Sequence, residues 1–130
     1  MREIKFRAMR NNGKWVIGNY VHHFISYFDT IERHSIFLSK SENENGGHWV
    51  EDIITKTIGQ FTGLYDKDGK EIYEGDILDF NGLTVEVRFV RGVFAFLANG
   101  DLDEELCGDC RTDLFAKVIG NIHDNPELLK

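Results

Sequence analysis

Apolar and polar positions alternate from the start of the chain, with Ile4, Phe6 and Ala8 set against Lys5, Arg7 and Met9. A period of two marks a strand with one buried face. Asn11-Asn12-Gly13 follows, and an Asn-Gly pair favours the positive φ of a hairpin turn, so residues 14–21, carrying Trp15, Val16, Ile17 and Tyr20, are predicted to return antiparallel. Residues 24–28 and 35–39 are apolar enough for two further short strands, with 29–34 as a helical turn between them. The polar run from Ser41 to Gly47 reads as an exposed loop separating two lobes.

The same pattern recurs more clearly in the second half, where residues 55–64, 70–73, 77–80, 83–90, 93–97 and 114–122 are predicted strands. Asp68-Gly69, Asn81-Gly82, Arg91-Gly92 and Asn99-Gly100 place a glycine at each reversal. Trp15, Ile58, Ile77, Val85, Val87, Phe89 and Phe94 or Phe96 are the expected core, and Glu86 and Arg88 face away from it. Residues 101–105 suggest a helical turn, and Asn125-Pro126-Glu127 a capped turn that brings Leu128 and Leu129 in as a clasp. Gly18, Gly59 and Gly120 sit in similar strand segments (Val-Ile-Gly-Asn-Tyr, Thr-Ile-Gly-Gln-Phe, Val-Ile-Gly-Asn-Ile) and are read as bulges. The expected fold is mainly β, one domain over 1–130 made of two small antiparallel lobes. These are a hairpin lobe at 1–40 and an SH3-like barrel at 55–130, since closing a short-stranded sheet limits exposed edges.

Composition supports that picture: 42% hydrophobic and 12% aromatic residues can build a core, and thirteen Gly against one Pro suit many tight turns. No apolar run is long enough to span a bilayer and the first residues lack an export signal, so a cytoplasmic protein is expected, without membrane partners. The formal net charge of −7 disfavours a nucleic-acid partner. Charge is also uneven, net +1 over residues 1–65 (8 basic, 7 acidic) and net −8 over residues 66–130 (7 basic, 15 acidic). Arg2, Lys5, Arg7 and Arg10 make the first strand basic and a candidate partner surface, suited to meeting the acidic half of a second copy in a homo-oligomer. Tyr27 and Phe28 join it as candidate contacts from the aromatic stretch between residues 24 and 48.

Candidate chemistry is thin. Cys107 and Cys110 form a single CxxC, half of a zinc site, and the five histidines show no HxxxH spacing, so neither metal nor cofactor is expected. Tyr65, Asp66, Glu71, Tyr73, Glu74 and Asp76 form the densest polar cluster. It fails as a calcium loop, because with Gly69 in the glycine position a leucine and a glycine fall on ligand positions. A charged hairpin tip and a Glu-Gly-Asp turn explain it better than acid–base catalysis. His22, His23, Tyr27, Phe28 and Trp49 could line a pocket, although aromatics in β proteins more often fill a core. No Ser-His-Asp elbow, P-loop or GxGxxG occurs.

Three blocks, Arg2–Ala8, Ile58–Ile77 and Val118–Leu129, carry a family likeness. In order and in residues, the middle one reading IGQFTGLYDKDGKEIYEGDI, they resemble the YopX family of phage and prophage proteins. The sequence departs at Met9-Arg10, where the family pattern has Trp and an acidic residue. The resemblance implies a small β-rich protein, encoded by a phage or prophage and acting in the bacterial cytoplasm, with no settled biochemical activity. The reading that follows is a non-enzymatic interaction or assembly module with a phage or host protein as partner. A nucleic-acid-binding SH3-like protein is the alternative, followed by a metal-dependent hydrolase using carboxylates with His22 or His123.

Overall fold

The computed structural model describes residues 3–24, 32–38, 48–100, 105–106 and 111–129. The protein is mostly β and divides into two compact units, Glu3–Gln60 and Phe61–Lys130. The boundary falls inside one long strand, not in the polar run at 41–47. Among the described residues no helix is long and apolar enough to cross a membrane.

In the first unit, β1 (Phe6–Arg10) and β2 (Trp15–Phe24) form the hairpin expected from Asn11-Asn12-Gly13. The turn is closed by Arg10 N–H to Lys14 O and Gly13 N–H to Arg10 O, at 2.8 and 2.9 Å, and only Gly13 takes positive φ (85°). β3 (Glu32–Leu38) and β4 (His48–Val50) extend the sheet on one side and the start of β5 (Ile53–Tyr65) pairs with β1, giving the order β4-β3-β2-β1-β5. β2 therefore runs through Phe24, three residues beyond its predicted end, and β4 was not expected from its three residues.

Direct register partners share a sheet face. Ala8, Ile36, Val50 and Ile53 are buried together with Phe6, Val16, Tyr20, Leu38 and Ile58 packed on them, so this face is the core. Trp15, expected there, pairs with Met9 on the opposite face and is half-buried. Ile58 is half-buried against the core. Of the three expected bulges, Gly18 is none: its pairing with Phe6 is regular, and glycine is required because a Cβ would overlap the Phe37 carbonyl of β3. β5 does bulge, between the partners Arg7–Gly59 and Met9–Ile54. There the buried Thr57 hydroxyl accepts the Met9 N–H at 2.8 Å and donates to Ile54 O at 2.5 Å, satisfying groups that the ladder leaves.

In the second unit the end of β5 pairs with β6 (Glu71–Tyr73). A five-stranded antiparallel sheet follows the order β10-β9-β8-β7-β11, from β7 (Asp76–Phe80), β8 (Leu83–Val90), β9 (Val93–Ala98), β10 (Glu105–Leu106) and β11 (Ala116–Asn121). The described pairings form an open row and not the closed ring of a barrel. Asn81-Gly82 and Arg91-Gly92 take positive φ at both residues, the two-residue turn that matches strand twist. Ile72, Leu78, Val85, Val87, Phe96 and Ala116 make the core, and Ile77 is fully buried.

Phe89, expected in that core, is 49% exposed. The β8–β9 hairpin outruns the packed layer, so Phe89 lies edge-on to its partner Phe94 at 5.1 Å, next to the turn. Leu114 and Phe115, expected in a strand, lie in a single helical turn, α1 (Thr112–Phe115), too short to leave a periodicity. β11 does shift register between Val118 and Gly120, and a Cβ on Gly120 would stand 2.5 Å from Asn125 Oδ1. A 3-10 turn over Pro126–Leu129 packs against β8, the expected clasp.

Candidate functional site

The polar cluster of the second unit would be catalytic only if its carboxylates were available. The two buried ones, Asp66 and Asp76, are occupied by backbone. The chain reverses between Asp66 and Lys70, with Asp66 N–H bonded to Lys70 O at 2.8 Å, Gly69 N–H to Asp66 O at 3.0 Å, and φ of 82° at Gly69. The Asp66 side chain is buried beneath this turn. Its Oδ1 accepts the N–H groups of Asp68 and Lys70 at 2.9 and 2.8 Å, and its Oδ2 accepts the Val118 N–H of β11 at 3.0 Å. Burial works against the charged carboxylate, but the three amides and the Lys70 ammonium outweigh it and hold Asp66 below the ordinary carboxylate pKa. Such a group is an acceptor in the wrong range for a general base at neutral pH.

Asp76 plays a parallel part. It is buried, and its Oδ2 accepts the Tyr73 N–H at 2.7 Å across the turn that contains Gly75 at φ 94°. Gly75 is itself fixed, donating to Val87 O at 2.8 Å and accepting from Ile122 N–H at 2.9 Å. The Tyr73 hydroxyl reaches Glu71 Oε1 at 3.3 Å, Tyr65 is exposed with its ring edge-on to Phe61, and Glu74 is half-buried. The six residues are thus spread along a turn, a short strand and a second turn. Among the described residues no group of three or more His, Cys, Asp or Glu is placed to hold a metal ion.

A further buried carboxylate lies on β8, where alternation alone predicts a solvent-facing side chain. Glu86 and Arg88, read as facing solvent, form a two-point ion pair, Nε to Oε2 at 2.9 Å and Nη2 to Oε1 at 2.8 Å, with Glu86 buried. The Glu86 hydrogen bond raises the Arg88 pKa against the opposing effect of burial. Glu86 is the register partner of the buried Leu97 and Ile77, so this face is covered as well. The clasp at Pro126–Leu129 could have signalled that cover, since it needs a surface to close on.

The basic first strand is distributed over both faces of its sheet. Arg10 binds Asp52, Nε at 3.2 Å from each carboxylate oxygen and Nη2 at 3.0 Å from Oδ1. That hydrogen bond and the neighbouring charge hold Asp52 below its usual pKa. Lys5 Nζ lies 3.5 Å from Glu3 Oε1. Arg7 stacks its guanidinium 4.8 Å above the Trp15 ring. Arg2, Tyr27, Phe28, Cys107 and Cys110 lie outside the described residues.

What the register does bring together is an outer face on the first unit. Arg7 pairs with Ile17, Asn19 with Phe37 and Phe37 with Trp49, all opposite to the core face. Trp49 is 52% exposed and lies 4.9 Å from Phe37, and Ile17 is 47% exposed. His22 belongs to the other face, register partner of His34, so it and Trp49 do not line one pocket together. The exposed apolar residues of the second unit are differently placed. Leu83, Phe89 and Val93 flank hairpin turns, Leu114 and Phe115 lie in α1, and Leu64, Tyr65 and Ile119 lie in β5 and β11, so they are spread over several elements.

The geometry defines a small antiparallel β protein of two units, with Asp66 and Asp76 bound to backbone amides, Glu86 bound to the Arg88 guanidinium, and an aromatic surface laid across one sheet. The chain belongs to the YopX family, whose model, described as YopX protein, matches residues 5–130. Among solved structures it is similar to protein EF1440 from Enterococcus faecalis, at 26% identity and a TM-score of 0.63, covering 100% of both chains. None of the curated proteins matches this sequence.

Proposed function

We propose that this protein is a non-enzymatic interaction module, encoded by a phage or prophage and acting in the host cytoplasm, that binds a protein partner through the outer face of its first sheet. The observation that carries the reading is the contrast between Asp66, whose carboxylate is saturated by three backbone amides, and the Trp49, Phe37 and Ile17 surface on three adjacent strands. Trp, Phe and Arg are the residue types enriched where proteins bury surface against one another. Arg7 over Trp15 supplies an anchor already desolvated on one side. Lys5 beside this face is paired with Glu3, and the chain's net charge of −7 suits a protein surface better than a polyphosphate backbone.

The test is affinity capture from host cells expressing the tagged protein, with partners identified by mass, alongside the Trp49→Ser and Phe37→Ser variants. The expected result is a protein partner lost in both variants while the melting temperature stays near that of the parent. Capture unchanged in both variants would remove the outer face from the account, and hydrolysis of a phosphoester panel abolished by Asp76→Asn would replace it with an enzyme. A single-stranded nucleic acid is the second reading, favoured by aromatics on adjacent strands of an open sheet face. Fluorescence anisotropy with labelled oligonucleotides, falling steeply with salt, would identify it.

A further inference from the structure

The core face of the first sheet does not end in aliphatic side chains. Beyond Tyr20 and Ile36, which are register partners, it continues into His22 and His34, also direct partners on β2 and β3. The two imidazoles stack with centroids 4.4 Å apart and planes within 11°. His22 is exposed and His34 half-buried. The Tyr20 hydroxyl lies 2.5 Å from His34 Nδ1, and the Tyr20 and His34 rings are parallel within 4°.

We propose that His22 and His34 form a surface site for a nitrogen-preferring transition-metal dication, of the Ni2+, Cu2+ or Zn2+ class, with water completing the coordination. Metal–nitrogen bonds of about 2.0–2.1 Å set two tetrahedral ligand nitrogens about 3.3 Å apart. The ring centroids stand 4.4 Å apart, and a turn of the exposed His22 side chain would bring one of its nitrogens to that spacing and convert stacking into convergence. In the tautomer that donates Nδ1–H to the Tyr20 oxygen, His34 turns an Nε2 lone pair to the ion, and Tyr20 acts as the positioning residue that holds the ring orientation. Mg2+ and Ca2+, which select oxygen ligands, are not expected to bind. Two protein ligands make this a clip between neighbouring strands, in contrast to the closed four-ligand set of a structural zinc site.

The experiment is calorimetric titration of the untagged full-length protein with NiCl2, ZnCl2 and MgCl2. One equivalent of Ni2+ and of Zn2+ should bind, and no Mg2+. His22→Ala and His34→Ala should each abolish binding, Tyr20→Phe should weaken it about 10-fold, and His123→Ala should leave it unchanged. Because His22 is exposed, its alanine variant keeps the test decisive even where His34→Ala destabilises the sheet. Ni2+ should also broaden the His22 and His34 ring proton resonances ahead of all other histidines. Affinity unaltered by His22→Ala, equal binding of Mg2+, parental affinity in Tyr20→Phe, or broadening centred on another histidine would overturn the assignment.

Discussion

Among the described residues, the second unit buries three carboxylates, Asp66, Asp76 and Glu86, whereas the first buries no charged side chain and only the hydroxyls of Ser35 and Thr57. The difference follows from what each unit must satisfy. The second packs tight reversals between short strands, and each reversal leaves amides that no neighbouring strand accepts. A carboxylate turned inward accepts two or three of them at once, at Asp66 from Asp68, Lys70 and Val118. The first unit has longer, more regular pairing and repairs its one wide bulge with the Thr57 hydroxyl, and none of its described charged residues is fully buried. At Asp66 and Asp76 buried polarity therefore marks where the backbone needs acceptors, while Glu86 is buried against the Arg88 guanidinium.

The comparison breaks first at Asp66. Asp66→Ala leaves three amides without their acceptor and should cost about 3 kcal/mol by chemical denaturation, since hydrogen bonds to charged groups are among the stronger ones. Val87→Ala should cost about 2 kcal/mol through the cavity it leaves. Phe89→Ala, two residues along the same face but exposed beside its turn, should cost less than about 1 kcal/mol, and equal losses at the two sites would place the core further along β8 than the structure does. Thr57→Val keeps the shape and removes the acceptor of Met9 N–H, for an expected loss of about 1–2 kcal/mol. Smallest is Trp49→Ser, expected within about 0.5 kcal/mol of the parent in stability while partner capture is lost.

Much of the fold was legible from residue order. The strand at Leu83–Val90 and the turns at Asn81-Gly82 and Arg91-Gly92 lie where glycine spacing and alternation place them, because those signals are local. The two small antiparallel β lobes were legible too, but among the described residues the five strands form an open row, and closure depends on which outer strands meet, of which composition carries no record. Glu86 was misread because alternation assumes one wet face, and the segment at Pro126–Leu129 covers the second. The site was less legible still. Arg7 on the first strand belongs to the face that also carries Trp49, but Trp49 reaches it only through the pairing of β3 with β4. His22 and His34 stand twelve positions apart in sequence, a spacing without meaning until β2 and β3 are set in register.

The central claim is that the Tyr65–Asp76 block serves the backbone and not a reaction, and Asp66 titrates that claim directly. A carboxyl whose pKa is lower folded than unfolded contributes stability that is present above its unfolded value, about 3.9, and is lost as pH falls through its folded value. Carbon-detected NMR titration of the Asp66 carboxyl should therefore give a pKa below the ordinary aspartate value, with the Asp68, Lys70 and Val118 amide shifts following the same curve. An Asp66 pKa raised toward neutrality, with those amides indifferent to it, would contradict the account and mark the carboxylate as poised for proton transfer.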